Sequence, residues 1–443
     1  MRRREFLRAA AALPLAAGRG RGALPAPLGT APRGPAPLRA NGARVNAALA
    51  AFDAVGRTAG GVNRVAYSEA DLAGRRFVLD LYRQAGLAPR VDAAGNLVAR
   101  VEGTERGLAP LVVGSHVDSV TDGGNFDGPV GAFGAIEAAR SLAEQGVRLR
   151  HPLEVVVWQN EEGGTIGSKA WIGALAAADL DKVARSGVAI RDGIRRIGGD
   201  PARLDAVVRR RGDVAGYLEL HIEQGGQLEA AGRQIGVVEG IVGLRWIEVT
   251  VTGFANHAGA TEMDRRQDAL LAAARFVVGV NELVRAEPGR QVATVGRLVA
   301  VPNTTNVIAG RVTLTVDLRD LDAAKLERFR GRFEQLGREV GAATGTAFAF
   351  APLVSSEPAL ADPRMMDAVE GSARALGLST RRMPSGAGHD AQELARVAPM
   401  GMVFVPSVGG ISHSPREFTR AADVANGVDV LLNALVEADR RLG

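Results

Sequence analysis

Apolar and polar positions along this chain fall into two styles. From Ser68 the run "SEADLAGRRFVLDLYRQAGL" spaces its apolar residues as a helix does, with Ser68 as N-cap and Gly86 near its end. "NLVARVEG" and "LAPLVVGSH" read as strands, "VGAFGAIEAARSLAEQGV" as an amphipathic helix, and "LEVVVWQNEEGG" as a buried strand running into a loop. Strand, helix and strand in that order predict an α/β sheet with crossover connections over residues 43–240, resumed over 354–443. From about Ile241 the style changes. "LRWIEVTVTGF" is a strand, "RRQDALLAAARFVVGVNELV" a helix, and "VATVGRLVAV" and "GRVTLTVDLRD" are two more strands. "AAKLERFRGRFEQLGREVGAATG" is a second helix and "AFAFAPLV" a last strand. The order β-α-β-β-α-β predicts a ferredoxin-like α+β domain inserted over residues 241–353.

Composition narrows the chemistry. At 443 residues the chain has room for two or three domains, and with aromatics at 4% its core must be mostly Ala, Val and Leu. There is no cysteine, which excludes disulfides, thiolate metal sites and cysteine nucleophiles. Any metal must then be held by histidine and carboxylate, a donor set suited to Zn²⁺, Mn²⁺, Co²⁺ or Ni²⁺. Residues 1–42 read as a twin-arginine signal and linker. Arg3 and Arg4 precede Phe6-Leu7, a short Ala/Leu run follows, and Leu24 to Leu38 is a Pro/Ala/Gly lead-in. The apolar run is too short to span a bilayer, so no stable membrane association is expected. The expected location is periplasmic or exported, and cytoplasmic if the leader does not act. Met1 to Gly22 carries six arginines and one glutamate, which accounts for the whole net charge of +5. The remainder is neutral, and no nucleic-acid partner is expected.

Five of the six histidines, His116, His221, His257, His389 and His413, lie in short stretches rich in Gly, Asp or Ser that resemble loops. His151, beside Pro152, looks ordinary. Carboxylates accompany them: Asp127 in "NFDG", adjacent Glu161 and Glu162 in "QNEEGG", and Glu219 and Glu223 around His221. Adjacent glutamates at a strand end should point to opposite sides, leaving one free as a base while the other binds metal.

Together "GSHVDSVTDGGNFDGPVG", "WQNEEGG", "HIEQGG", "HAGATEMDRRQDAL", "PNTTNVIAG", "DLRD", "PSGAGHDAQ" and "VPSVGGISHSPRE" resemble the M20 clan of di-metal hydrolases, specifically its hydantoinase/carbamoylase amidase branch. The resemblance implies a mixed-sheet metallopeptidase-like catalytic domain with a lid and dimerisation insertion. It implies two divalent ions per subunit, Zn²⁺ or Mn²⁺, with Co²⁺ or Ni²⁺ possible. Asp127 would bridge them, His116 and His221 would complete one, and Glu162 and His413 the other. Asp118 would orient His116, and Glu161 would be the general base. His257 would reach a partner subunit's site as an oxyanion donor, Asn306 and Arg319 would grip a substrate carboxylate, and Gln224 would contact the ureido end. His389 and Asp390 would line the pocket. Taken without the resemblance, Arg319 reads as a salt bridge to Asp317 or Asp320.

The activity implied is cleavage of the ureido C–N bond of an N-carbamoyl-L-amino acid by a homodimer. Allantoate or another ureido acid is the alternative substrate. A dipeptidase is disfavoured by His221, where peptidase members tend to carry a carboxylate, and a non-catalytic binding protein is disfavoured by Glu161 beside an intact ligand set. Two departures from the branch's pattern stand out, Glu262 and Ala309 where proline is common; Glu262 adds a negative charge expected near the pocket.

Overall fold

The computed structural model describes residues 36–442; the twin-arginine stretch lies outside them. Within the described part, the end of the lead-in is pinned. Leu38 exchanges two hydrogen bonds with the Asn433 side chain, and the Ala40 N–H donates to Asp429 just before a helix starts at Gly42. Thirteen strands follow: β1 (Arg90–Val91), β2 (Leu97–Val101), β3 (Leu111–His116), β4 (Leu153–Trp158), β5 (Gly216–Ile222), β6 (Ile235–Ile241), β7 (Gly243–Thr252), β8 (Val292–Val301), β9 (Arg311–Asp320), β10 (Ala347–Ser356), β11 (Ala359–Leu360), β12 (Thr380–Ser385) and β13 (Met400–Val405).

Nine of them form one mixed sheet in the order β1-β2-β4-β3-β5-β13-β6-β11, with β12 beside β6. Its centre, β4-β3-β5-β13, is parallel throughout. β3 and β4 are joined by the helix Pro129–Glu144, the expected crossover. The central strands are buried on both faces, as a sheet covered on both sides requires. Alternate residues serve opposite layers. Val113, Val155, Leu220 and Val403 pack on Pro129–Glu144 and the C-terminal helix Ala421–Arg441. Val112, Val156, Trp158 and Phe404 pack on the other side around Trp171 and Leu394. Each fully buried valine or leucine in these layers contributes roughly 1.5–3 kcal/mol.

β7 to β10 form a separate antiparallel sheet in the order β10-β7-β9-β8, backed by the helices Ala269–Ala286 and Ala323–Thr344. This is the ferredoxin-like order and connectivity that the alternating pattern predicts. The first helix starts at Ala269, with Asp268 accepting from the Leu270 and Leu271 N–H groups, four residues later than the apolar spacing suggests. No helix among the described residues is long and apolar enough to cross a membrane.

Candidate metal centre

Four neighbouring parallel strands end at one edge of the large sheet, and each brings polar groups there, where open α/β sheets place their ligands. β3 ends on His116, β5 carries His221, β4 runs into Glu161 and Glu162, and β13 leads to His413. His116 and His221 are strand residues, almost fully buried, not the loop residues their polar neighbours suggest. His221 shares a strand face with Tyr217 and Glu219. Glu161 and Glu162 do not lie on the pleated strand end that their sequence suggests; they sit in a turn after Asn160, whose φ is 51°. Asp118 arranges that turn, its carboxylate accepting the Glu161 N–H at 3.2 Å and the Glu162 N–H at 3.1 Å. The two side chains diverge nonetheless, Glu161 toward His116 at 3.8 Å and Glu162 toward His413 at 3.5 Å.

Asp127 lies between two donor groups. Its Oδ1 is 3.2 Å from His221 Nε2 and 3.6 Å from His116 Nε2, and its Oδ2 is 3.2 Å from His413 Nε2. His116, Asp127 and His221 form one candidate metal group and Asp127, Glu162 and His413 a second, joined through Asp127; Glu219, His221 and His389 form a third, fully buried one. The histidine tautomers suit ligation. His116 Nδ1 faces the Asp118 carbonyl at 3.1 Å and His221 Nδ1 the Ile222 carbonyl at 3.0 Å. Carrying its proton on Nδ1, each ring leaves Nε2 as the free lone pair. His116 is thus oriented by the Asp118 backbone oxygen; the carboxylate, 3.7 Å away, is too far to do it. Gly128 permits the close approach, having φ 83° and standing where a Cβ would lie 2.5 Å from the His116 ring.

The charges fit a cation site as well. Burial opposes ionisation of Asp127, but three imidazoles within 3.6 Å hold its carboxyl well below its usual range. Burial lowers His116, yet Glu161, Asp118 and Asp127 hold it well above its ordinary value. Asp127 raises His413 and, against burial, His221. Burial and the charge of Asp127 push Glu162 up to about 7, and burial with Glu162 pushes Glu161 well up. His221 Nε2 is buried without a hydrogen-bond partner. The amide nitrogen of Gln224 sits 2.7 Å from Asp127 Oδ2 and 3.3 Å from His413 Nε2, so an electropositive group already occupies the second donor set. The site is short of positive charge, and the residues present suit divalent cations.

Protons held by these groups at neutral pH must leave when a cation enters, so affinity should rise with pH. Between pH 6 and 8, Mn²⁺ affinity is expected to climb about tenfold per unit for each proton displaced. Calorimetric titration in buffers of different ionisation enthalpy reads that release directly. Affinity independent of pH would contradict it.

The remaining site residues fall in two places. His389 and Asp390 are buried behind His221: His389 packs edge-on to it at 4.4 Å, kept neutral by burial and by the neighbouring imidazole, and hydrogen-bonds to Ser385. Asp390 pairs with Ser168. Both are almost fully buried, His389 at 1% and Asp390 at 0% exposure. Gln224 does border a cavity of about 370 Å³ with His413, Met383 and Gly386. Arg319 stands at the edge of that cavity, donating to the Gly386 carbonyl at 2.7 Å, but its fork is taken up by Asp317 at 2.8 and 3.0 Å. This is the salt bridge that the arginine alone suggested. His257 and Asn306 are exposed neighbours on the smaller unit, where Ala258 N–H donates to the Asn306 carbonyl. Glu262 is exposed and paired with Arg265 at 3.0 Å, so its charge is compensated locally. Ala309 is buried and its carbonyl accepts the Ala269 N–H.

Two buried groups, Arg64 and Glu417, escaped the sequence reading of the site, and a third, Glu219, was legible there only as a carboxylate near His221. Arg64 ties the Val117 carbonyl beside His116 to the Val55 carbonyl. Glu219 holds Ser115, Tyr217 and the Ala391 N–H behind His221. Glu417 joins two ligand loops. Glu223, also a candidate carboxylate, caps the helix Gln227–Ala230 and borders the same cavity as Gln224 and His413. A carboxylate at fixed spacing in "SHSPRE" was the one available signal for Glu417.

Fold and donor set together define a metallohydrolase-type scaffold: a mixed sheet with two joined cation groups at its carboxyl edge and a ferredoxin-like insertion. The chain belongs to peptidase family M20/M25/M40, whose model matches residues 112–437. It is 39% identical over 381 residues to the N-carbamoyl-L-amino acid amidohydrolase of Geobacillus stearothermophilus, covering 85% of this chain and 93% of that one. It is 35% identical to the allantoate amidohydrolase of Bacillus subtilis, covering 85% and 92%. An amidase of the hydantoinase/carbamoylase family from Burkholderia multivorans has the same fold, with a TM-score of 0.84 at 38% identity over 90% of this chain and 98% of that structure.

Proposed function

We propose that this protein is a two-metal amidohydrolase that converts an N-carbamoyl-L-amino acid and water to the amino acid, CO₂ and ammonia. The observation that carries the reading is Asp127, one oxygen turned to His116 and His221 and the other to His413. His116, His221 and Asp127 would hold one ion, and Asp127, Glu162 and His413 the other, as Zn²⁺ or Mn²⁺, with Co²⁺ or Ni²⁺ also accommodated by these donors. When bound, the ions supply Lewis acidity toward water and the ureido carbonyl.

Glu161 takes a proton from the attacking water and returns it to the leaving nitrogen. Its carboxyl, held well above the usual range by burial, is suited to both halves of that transfer. His257 would stabilise the developing oxyanion. Its Nδ1 accepts from the Gly259 and Ala260 N–H groups at 3.0 and 3.1 Å, which leaves the proton on Nε2, ready to donate. We assign it to the site of a second copy, because it is exposed on the smaller unit and hydrogen-bonds only within its own turn. β8, an edge strand with exposed Leu298, Val299 and Val301, supports dimerisation there. Arg319 and Asn306 would take the substrate carboxylate, Arg319 exchanging Asp317 for it, and Gln224 would meet the ureido group. The N-terminal arginine pattern supports export of the folded enzyme.

Arg319→Ala is expected to raise KM for an N-carbamoyl-L-amino acid about 10–100-fold with a smaller effect on kcat, as loss of a charged hydrogen-bonded contact implies. Steady-state kinetics checks this; an unchanged KM would return Arg319 to a purely structural pairing. The reaction itself is tested by product balance: amino acid and ammonia should appear one for one from the L-substrate and neither from its D-enantiomer. Amino acid without ammonia would sink the ureido reading.

A further inference from the structure

Glu417 is 6% exposed and follows His413 by four residues. Its carboxylate makes four hydrogen bonds to two distant segments. Oε1 accepts the Phe126 N–H at 2.9 Å and the Asp127 N–H at 3.0 Å. Oε2 accepts the Ser412 hydroxyl at 2.7 Å and the His413 N–H at 3.3 Å. The Ser412 oxygen in turn lies 3.1 Å from Asp127 Oδ2. A carboxylate has about four lone-pair sites, and all four are committed, so Glu417 is not free to ligate an ion.

Two further features depend on it. His413 has φ 52°, a left-handed conformation that a non-glycine residue adopts at a cost and that surrounding bonds must hold. Gly124 stands where a Cβ would lie 2.2 Å from Glu417 Oε1 and 2.4 Å from its Cδ, so the glycine before Asn125 makes room for this carboxylate. His116 and His221 have different supports. Each belongs to a central strand and bonds a backbone carbonyl, and neither touches Glu417.

We infer that Glu417 is a positioning residue that latches the His413 loop to Asp127 and thereby sets affinity for the second cation without binding it. The inference rests on the two-cation reading above. It goes beyond it by making the two sites unequal: one is built on strands, and the other depends on a side-chain latch across the fold.

The test is calorimetric titration of metal-free protein with Mn²⁺ for the wild type, Glu417→Gln and Gly124→Ala. His413→Ala and His221→Ala serve as references that mark which step belongs to which site. Glu417→Gln keeps the volume but removes an acceptor; Gly124→Ala keeps the carboxylate but displaces it. Both are expected to bind the first ion as the wild type does and the second about 10–100-fold more weakly, giving isotherms like that of His413→Ala. Ser412→Ala, which removes one of the four bonds, should move the same way by less. Wild-type affinity at both sites in the variants would overturn the latch, and so would equal weakening of both steps, which signals general damage. A wild type that binds fewer than two ions would overturn the two-cation reading and the latch with it.

Discussion

Asp127→Ala is expected to yield a folded protein that retains neither ion and has no measurable turnover. Asp127 alone faces both donor groups, with one oxygen toward His116 and His221 and the other toward His413. Removing it leaves three imidazoles without the anion that holds them, and the two groups it joins each fall to two donors. The fold should survive, because the adjoining helix Pro129–Glu144 is buried against the sheet by its own apolar residues. Metal analysis after gel filtration checks the outcome. One ion retained at wild-type affinity would mean that Asp127 serves a single site.

Glu161→Gln has the second-largest expected effect and the opposite signature. Both ions should remain, since Glu162 faces His413 while Glu161 is absent from every candidate metal group among the described residues. Turnover should fall about 10²–10⁴-fold, the usual scale for removing a general base. The substitution keeps shape and removes proton transfer, so KM should change little. Loss of an ion in this variant, or survival of activity, would reverse the roles of the two glutamates.

How far the sequence foretold these sites follows from what each feature depends on. Period alone separates the two sheets, because "LRWIEVTVTGF" and its partners alternate while "LEVVVW" is continuously apolar, and continuous burial is what a parallel centre imposes. His116 and His221 looked like loop residues because polar side chains are rare inside buried strands. They are tolerated there because a site at the strand ends satisfies them. The divergence of Glu161 and Glu162 was expected from a pleat that is absent; it comes from a turn bonded to Asp118. Local pattern could not disclose that Asp317 occupies the Arg319 fork, or that Gln224 rests on Asp127. Least legible was Glu417, whose partners Phe126 and Asp127 lie some 290 residues away.

Hydrolysis of a ureido C–N bond is tested most directly by ammonia release from the Mn²⁺-loaded enzyme. The panel would hold N-carbamoyl-L-amino acids, N-carbamoyl-β-alanine, allantoate and a dipeptide, with Glu161→Gln as control. Ammonia from N-carbamoyl-L-amino acids, matched by free amino acid and absent in the control, is the predicted result. Dipeptide cleavage without ammonia from any ureido acid would contradict it.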